Sequence, residues 1–199
     1  MNETSIGRLL VASLHQAIAD LLPTRLEFYE EWLTPAGLRD GRIGLAPLAA
    51  VLSFLRREGK AYQLVSARAG EYAAEWAFAD LSTFSRGVIK AAPPAIRARL
   101  VMRVVCSVVR RTCRTSRANV RWRKGRGWIC IRGSIFCGVR ETVEEPLCEF
   151  YASAVRCVMS LSSLVAEVET ERCFATGDED CLMQVSVRPA EAASDEETV

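Results

Sequence analysis

The amino-acid sequence predicts an α+β domain: N-terminal helices followed by a β-β-α-β-β unit, its antiparallel sheet covered by helices on one side. Three observations lead there. Apolar residues recur every three or four positions through the N-terminal half, as on one face of a helix. The period switches to two in ANVRWRKGRGWICIRGSIF, with KGRG at its centre. A helical stretch then separates that hairpin pattern from two further β-compatible runs, LVAEVETERCF and CLMQVSVR, around a Gly-containing turn. Such an order segregates the helices to one face of the sheet.

The elements follow in turn. From Ser5 to Leu22, Leu9, Leu10, Leu14, Ile18, Leu21 and Leu22 keep helical spacing, and Pro23 stops the pattern. TRLEFYEEWL makes a short second helix capped by Thr24, and TPAGLRDGRIG is a connecting loop. LAPLAAVLSFLRREG is a helix ending at Gly59, and KAYQLVSARAGEYAAEWAFADLS a further one. Its small residues Ala67, Ala69, Gly70, Ala73 and Ala74 allow close packing of another helix. The Pro93–Pro94 pair suits the first turn of the arginine-rich helix that follows. After the KGRG hairpin, EEPLCEFYASAVRCVMSLSS returns to helix, with Pro146 near its first turn. The hairpin around Gly177 closes the chain.

At 199 residues the chain suits one domain over 1–188, with 189–199 an acidic tail too poor in large apolar residues to pack. The formal charge of +2 hides an asymmetry: no Asp or Glu occurs from Leu81 to Arg140, a stretch rich in arginine. With Trp122 and Trp128 that stretch has the makings of a nucleic-acid surface. The plainer reading, a solvated or interface face pairing with Glu141, Glu144 and Glu145, is the stronger one. The N-terminal segment lacks the basic start and clean apolar block of a secretory signal, and the most apolar run is broken by Arg103. A cytoplasmic protein without a transmembrane segment is expected, its eight cysteines reduced.

Few residues point to catalysis. His15 is the only histidine, within an amphipathic helix, so Ser-His and Cys-His pairs would all need that one side chain. RAGEYA and RKGRG lack the spacing of a phosphate loop or a dinucleotide fingerprint. In ERCFATGDEDC, Cys173 and Cys181 stand eight residues apart, and Cys148 lies in PLCEFYASAV. These three are either ligands brought together by folding or packed thiols flanking a simple turn.

RGSIF, PLCEFYASAV and VETERCFATGDEDCLMQV together resemble the 4-vinyl reductase domain family over roughly residues 120–187. Relatives of that family include small-molecule sensory domains of bacterial regulators and, more distantly, small subunits of the TRAPP vesicle-tethering complex. The resemblance implies frequent homodimers, a buried pocket for a hydrophobic ligand, and binding more readily than catalysis. It also implies a zinc site on Cys148, Cys173 and Cys181, with a glutamate three residues before Cys173. Thr170 stands at that place. A one-residue bulge would be needed to bring Glu169 or Glu171 round, and Cys137 is the other candidate fourth ligand. With Thr170 there, the balance falls narrowly on a hairpin without metal.

The reading that results is a non-enzymatic hydrophobic small-molecule-binding domain of sensory, carrier or scaffold type. Tyr72, Trp76, Trp128, Phe136, Phe150 and Tyr151 are the candidate pocket walls. A homodimer is expected through the small-residue face of SARAGEYAAEWA and the N-terminal helix. The alternatives are a reductase or accessory protein of tetrapyrrole synthesis and an interaction module of the TRAPP-subunit kind.

Overall fold

Glycine and proline set several of the element boundaries. A computed structural model describes residues 6–30, 33, 44–123, 125–139 and 141–189. Helix α1 (Arg8–Leu21) stops before Pro23, which opens a 3₁₀ turn, Pro23–Arg25, leading into α2 (Leu26–Glu30). Helix α3 (Leu45–Arg57) and α4 (Lys60–Ala79) are separated by Gly59, whose φ of +60° disfavours any side chain. Helix α5 (Thr83–Ala91) was not expected from sequence; Ser82 caps it, its Oγ accepting the Ser85 N–H at 3.1 Å. That Ser is the signal that could have revealed it, since the apolar spacing of nine residues is too short to speak clearly. Helix α6 (Pro94–Thr112) begins at the proline pair as expected. The expected loop at TPAGLRDGRIG and the acidic end beyond Pro189 lie outside the described residues, apart from Gly44, which precedes α3.

Four antiparallel strands follow, β1 (Arg117–Arg123), β2 (Arg126–Arg132), β3 (Leu164–Arg172) and β4 (Cys181–Pro189), in spatial order β1-β2-β4-β3. Gly125 at φ +79° makes the tight β1–β2 turn. Between β2 and β3 the chain forms α7 (Glu149–Ser160), which starts three residues after Pro146. The expected α+β architecture is present. One sheet face carries Ile129, Ile131, Met183 and Val185, all buried, against α6 and α7; α4 and α1 lie behind these helices. The alternating burial of β2 and β4 shows the period-two pattern placing one face on the core.

A close approach between helices lies at Gly70. A Cβ there would stand 2.1 Å from the backbone oxygen of Phe150, so α4 and α7 meet backbone to backbone. The small-residue face of α4 is therefore occupied within the chain: Ala69, Gly70, Ala73 and Ala74 are buried, and α4 packs against α7, α1 and α6. The apolar face of α1 is covered likewise by α4 and α6. This corrects the expected helical dimer interface, because the surface it required is consumed in folding one chain. Gly70→Ala is expected to cost about 2–3 kcal/mol in urea denaturation, since backbone rather than a yielding side chain meets the added methyl.

Candidate functional site

Each of four segments brings one cysteine to a common point behind the lower end of the sheet. Cys137 comes from the loop after β2, Cys148 from the residue preceding α7, Cys173 from the end of β3 and Cys181 from the start of β4. All four are buried, and their sulfurs lie within 4.8 Å of one another. Cys137 Sγ is 3.5 Å from Cys148, 3.6 Å from Cys173 and 3.5 Å from Cys181, and Cys148 is 3.4 Å from Cys173. Disulfides need about 2.05 Å, so these are thiols.

Local chain geometry explains how Cys173 arrives there. Thr170 pairs with Met183 on the helix-facing side, and simple alternation would send Cys173 outward. A bulge between Thr170 and Arg172 adds one residue, so that Arg172 is exposed and Cys173 is buried. The bulge contemplated from the sequence thus exists, but it turns the cysteine inward and not a carboxylate. Glu169 and Glu171 are exposed, and Glu171 Oε1 accepts the Trp128 indole N–H at 3.2 Å on the opposite face. Neither belongs to the cluster; Cys137 holds the fourth place.

The surroundings fix each segment. The Cys173 N–H donates to Asp178 Oδ2 at 2.9 Å, and Thr176 Oγ1 donates to the Cys173 carbonyl at 2.8 Å. The Phe174 N–H points at Cys181 Sγ, 3.5 Å away. Gly177 closes this turn at φ +105°. Asp180 is only 7% exposed and is neutralised by Arg172 at 2.9 Å and Arg132 at 3.7 Å, with Cys130 Sγ donating at 3.1 Å. The Cys137 loop is tied to the helices through the Phe136 carbonyl, which accepts from Arg56 Nη2 at 2.9 Å and Tyr62 Oη at 3.5 Å. Asp178, Asp180 and Arg56 escaped sequence reasoning; the Gly177-Asp178 turn chemistry was the one available sign.

Four thiols this close cannot all ionise unaided. Cys173 is held far below the ordinary thiol range by hydrogen bonding with Cys137, then with Cys148 and Cys181. Cys181 is lowered through Cys137 and Cys148. Cys148 is pushed up by its hydrogen bonds with Cys137, Cys173 and Cys181 and by burial. In Cys137 the lowering effect of Cys148 is outweighed by Cys173, Cys181 and burial, and it too is pushed up.

The six candidate pocket aromatics do not come together. Phe136, Phe150 and Tyr151 are fully buried and pack on one another, Phe136 and Phe150 stacked at 4.4 Å with Tyr151 edge-on to both. Tyr72 and Trp76 stack at 5.5 Å on a half-exposed side of α4, where Arg68 lies over Tyr72 and the Tyr72 hydroxyl bonds Asp20. Trp128 stands on the outer sheet face. Alternation of strand faces and the turn of α4 separate groups that sequence order alone suggested should face one another. An apolar groove of about 310 Å³ lies elsewhere, between the end of α4, α5 and α6, lined by Ala77, Leu81, Phe84, Val88, Ile89 and Leu100. His15 pairs with Glu30 at 3.0 Å on the surface.

No protein-family model and no curated protein sequence matches the chain. Its fold has solved counterparts. It is similar to an H-NOX protein from Shewanella oneidensis in the Fe(II)NO ligation state, with a TM-score of 0.59 and 10% identity over 92% of this chain and 99% of that one. The Fe(II)CO state of an H-NOX domain from the same organism gives 0.57 and 12% over 92% and 98%. A trafficking protein particle complex subunit 3 from Naegleria fowleri, covalently bound to palmitic acid, gives 0.50 and 15% over 89% and 96%. At such identities the likeness is one of fold. A distant TRAPP-like fold is therefore present, while none of these counterparts bears the 4-vinyl reductase name. Among the described residues no helix is long and apolar enough to cross a membrane.

Asp178→Ala is expected to destabilise the protein by about 1–2 kcal/mol in urea denaturation, because the Cys173 N–H loses its acceptor.

Proposed function

We propose that this protein is a non-enzymatic binding domain for a hydrophobic, acid-headed small molecule, its C-terminal half clamped by a structural zinc ion. The observation that carries the binding reading is the groove between α4, α5 and α6, lined mostly by apolar residues with Ser85, Ser107 and exposed Arg103 among them. Its volume falls at the lower end of small-molecule sites. Phe84 is 81% exposed beside it, and Val88 45%, so apolar surface at the groove faces water. The bound palmitic acid of the Naegleria subunit and the iron-bound NO of the Shewanella protein make a ligand-holding role familiar for this fold. A fluorescent long-chain fatty acid is expected to bind. Val88→Glu should lower its affinity at least about tenfold while changing stability by no more than about 0.5 kcal/mol, as measured by fluorescence titration and thermal melting.

The donor set supports the metal. A tetrahedral Zn²⁺ site with Zn–S near 2.3 Å requires sulfurs about 3.8 Å apart, so the 3.4–3.6 Å separations need only slight expansion. A divalent cation also resolves the conflict among four buried thiols competing to ionise. With four cysteines and no position left open, the site is of the closed, structural kind. Protein prepared without chelator is expected to contain one zinc per chain by elemental analysis. Cys137→Ser should lose it and fall well beyond the ~2 kcal/mol expected for a merely packed cysteine, whereas Cys130→Ser keeps the metal. Zinc-free protein of full stability would mean that the cysteines only pack.

A second reading, an interaction module whose ligand site is vestigial, draws support from the dense packing of Phe136, Phe150 and Tyr151. Failure of every apolar probe would favour it.

A further inference from the structure

Across the outer face of the sheet, charge changes sign from one edge to the other. Cross-strand partners form rows, and Arg121, Trp128, Gln184 and Glu169 are successive neighbours in one of them. Arg123, Arg126, Ser186 and Glu167 make the next. In these two rows the β1 edge is thus arginine and the β3 edge glutamate, all exposed, while Arg172 further along β3 is paired with Asp180. Among the described residues, Arg121, Arg123, Glu167 and Glu169 form no ion pair within the chain. Over β1, β2 and the start of β4 lies a concavity of about 930 Å³ whose lining includes Arg121, Arg123, Trp128, Cys130 and Leu182. No described element lies across it.

We infer that this face docks a second copy of the same chain, related by a two-fold axis that runs parallel to the strands between β2 and β4. Rotation about that axis exchanges the edges of the sheet. Arg121 then meets Glu169 of the second copy, and Arg123 meets its Glu167, each pair occurring twice by symmetry. An axis perpendicular to the strands would stack β1 on β1 and set arginine against arginine, so the charge pattern selects the first. The twist of the two sheets, aligned within about 30°, leaves the oppositely charged edges adjacent. Trp128, Gln184 and Leu182 form the centre, an aromatic and weakly polar core inside a charged rim.

Four strands of about seven residues cover roughly 19 Å by 24 Å, a flat footprint near 450 Å², below the ~800 Å² per partner of stable complexes. The dimer is consequently concentration-dependent and salt-sensitive. A single-stranded nucleic acid would use the arginines and Trp128, but Glu167, Glu169 and Glu171 line the same face and repel phosphate. The inference stands apart from the proposed ligand and metal, since neither the groove nor the thiol cluster takes part.

Sedimentation velocity on the full chain at low and high salt tests it. The wild type is expected to dimerise at high micromolar concentration in low salt, weakening at least about tenfold in high salt. Arg121→Glu alone and Glu169→Arg alone should each be monomeric. Mixed in equal amounts, those two variants should form a heterodimer, and the double variant should recover the homodimer. A wild type that stays monomeric at every concentration overturns the inference, as do single variants that dimerise like the wild type. A monomer that binds a single-stranded oligonucleotide, with affinity lost in Arg121→Glu, overturns it in favour of nucleic acid.

Discussion

Four sulfur atoms sharing one buried space constrain the whole C-terminal half. Cys137, Cys148, Cys173 and Cys181 come from a loop, a helix start and two strand ends, and the β2–α7 loop, α7 and the β3–β4 connection take their positions from that meeting. The β3 bulge shows the strength of the constraint. A bulge gives up regular ladder pairing at one residue, and here the return is the inward turn of Cys173. The supporting bonds have the same purpose: Asp178 holds the Cys173 backbone, and Phe136 is gripped by Arg56 and Tyr62 from the helical side. Buried thiols at this spacing must share protons or a cation, which ties the local electrostatics to the architecture.

The helical half answers to a different constraint, close approach. Gly70 lets α4 lie on the backbone of α7, and α7 in turn lies on β3, so a missing side chain in one helix sets the depth of the three layers. The small residues that would suit an interface between copies are spent on this contact. Among the surfaces left uncovered are the groove beside α5 and the outer face of the sheet. These two surfaces differ in kind: one is apolar with a cation at its rim, the other charged with opposite signs at its two edges. The proposed hydrophobic ligand belongs to the first and the inferred second copy to the second.

Much of this was legible in the residues themselves. The 3.6-residue period of Leu10, Leu14 and Ile18, the alternation through Trp128, Ile129, Cys130 and Ile131, and the stops at Pro23 and Gly59 are local properties, and local backbone preference decides them. Helix α5 was missed because nine residues with Phe84 and Val88 facing water carry little periodic signal. Large aromatic residues look alike in the sequence, yet Phe150 and Trp128 lie on opposite sides of the sheet, a distinction that depends on strand parity and helix rotation together.

By itself the sequence determined the element order, the two hairpins, the acid-free arginine segment and the three cysteines Cys148, Cys173 and Cys181 as a set worth examining. Tertiary structure alone decided that Cys137 and not Glu169 or Glu171 completes that set, that α4 spends its small face on α7, and that arginine and glutamate end on opposite edges of one surface. The physical reason is the same in each case. Side-chain direction along a strand reverses with every residue, so a single bulge, or a strand order of β1-β2-β4-β3 instead of sequential order, redistributes side chains between core, cluster and surface without leaving any mark in the local pattern.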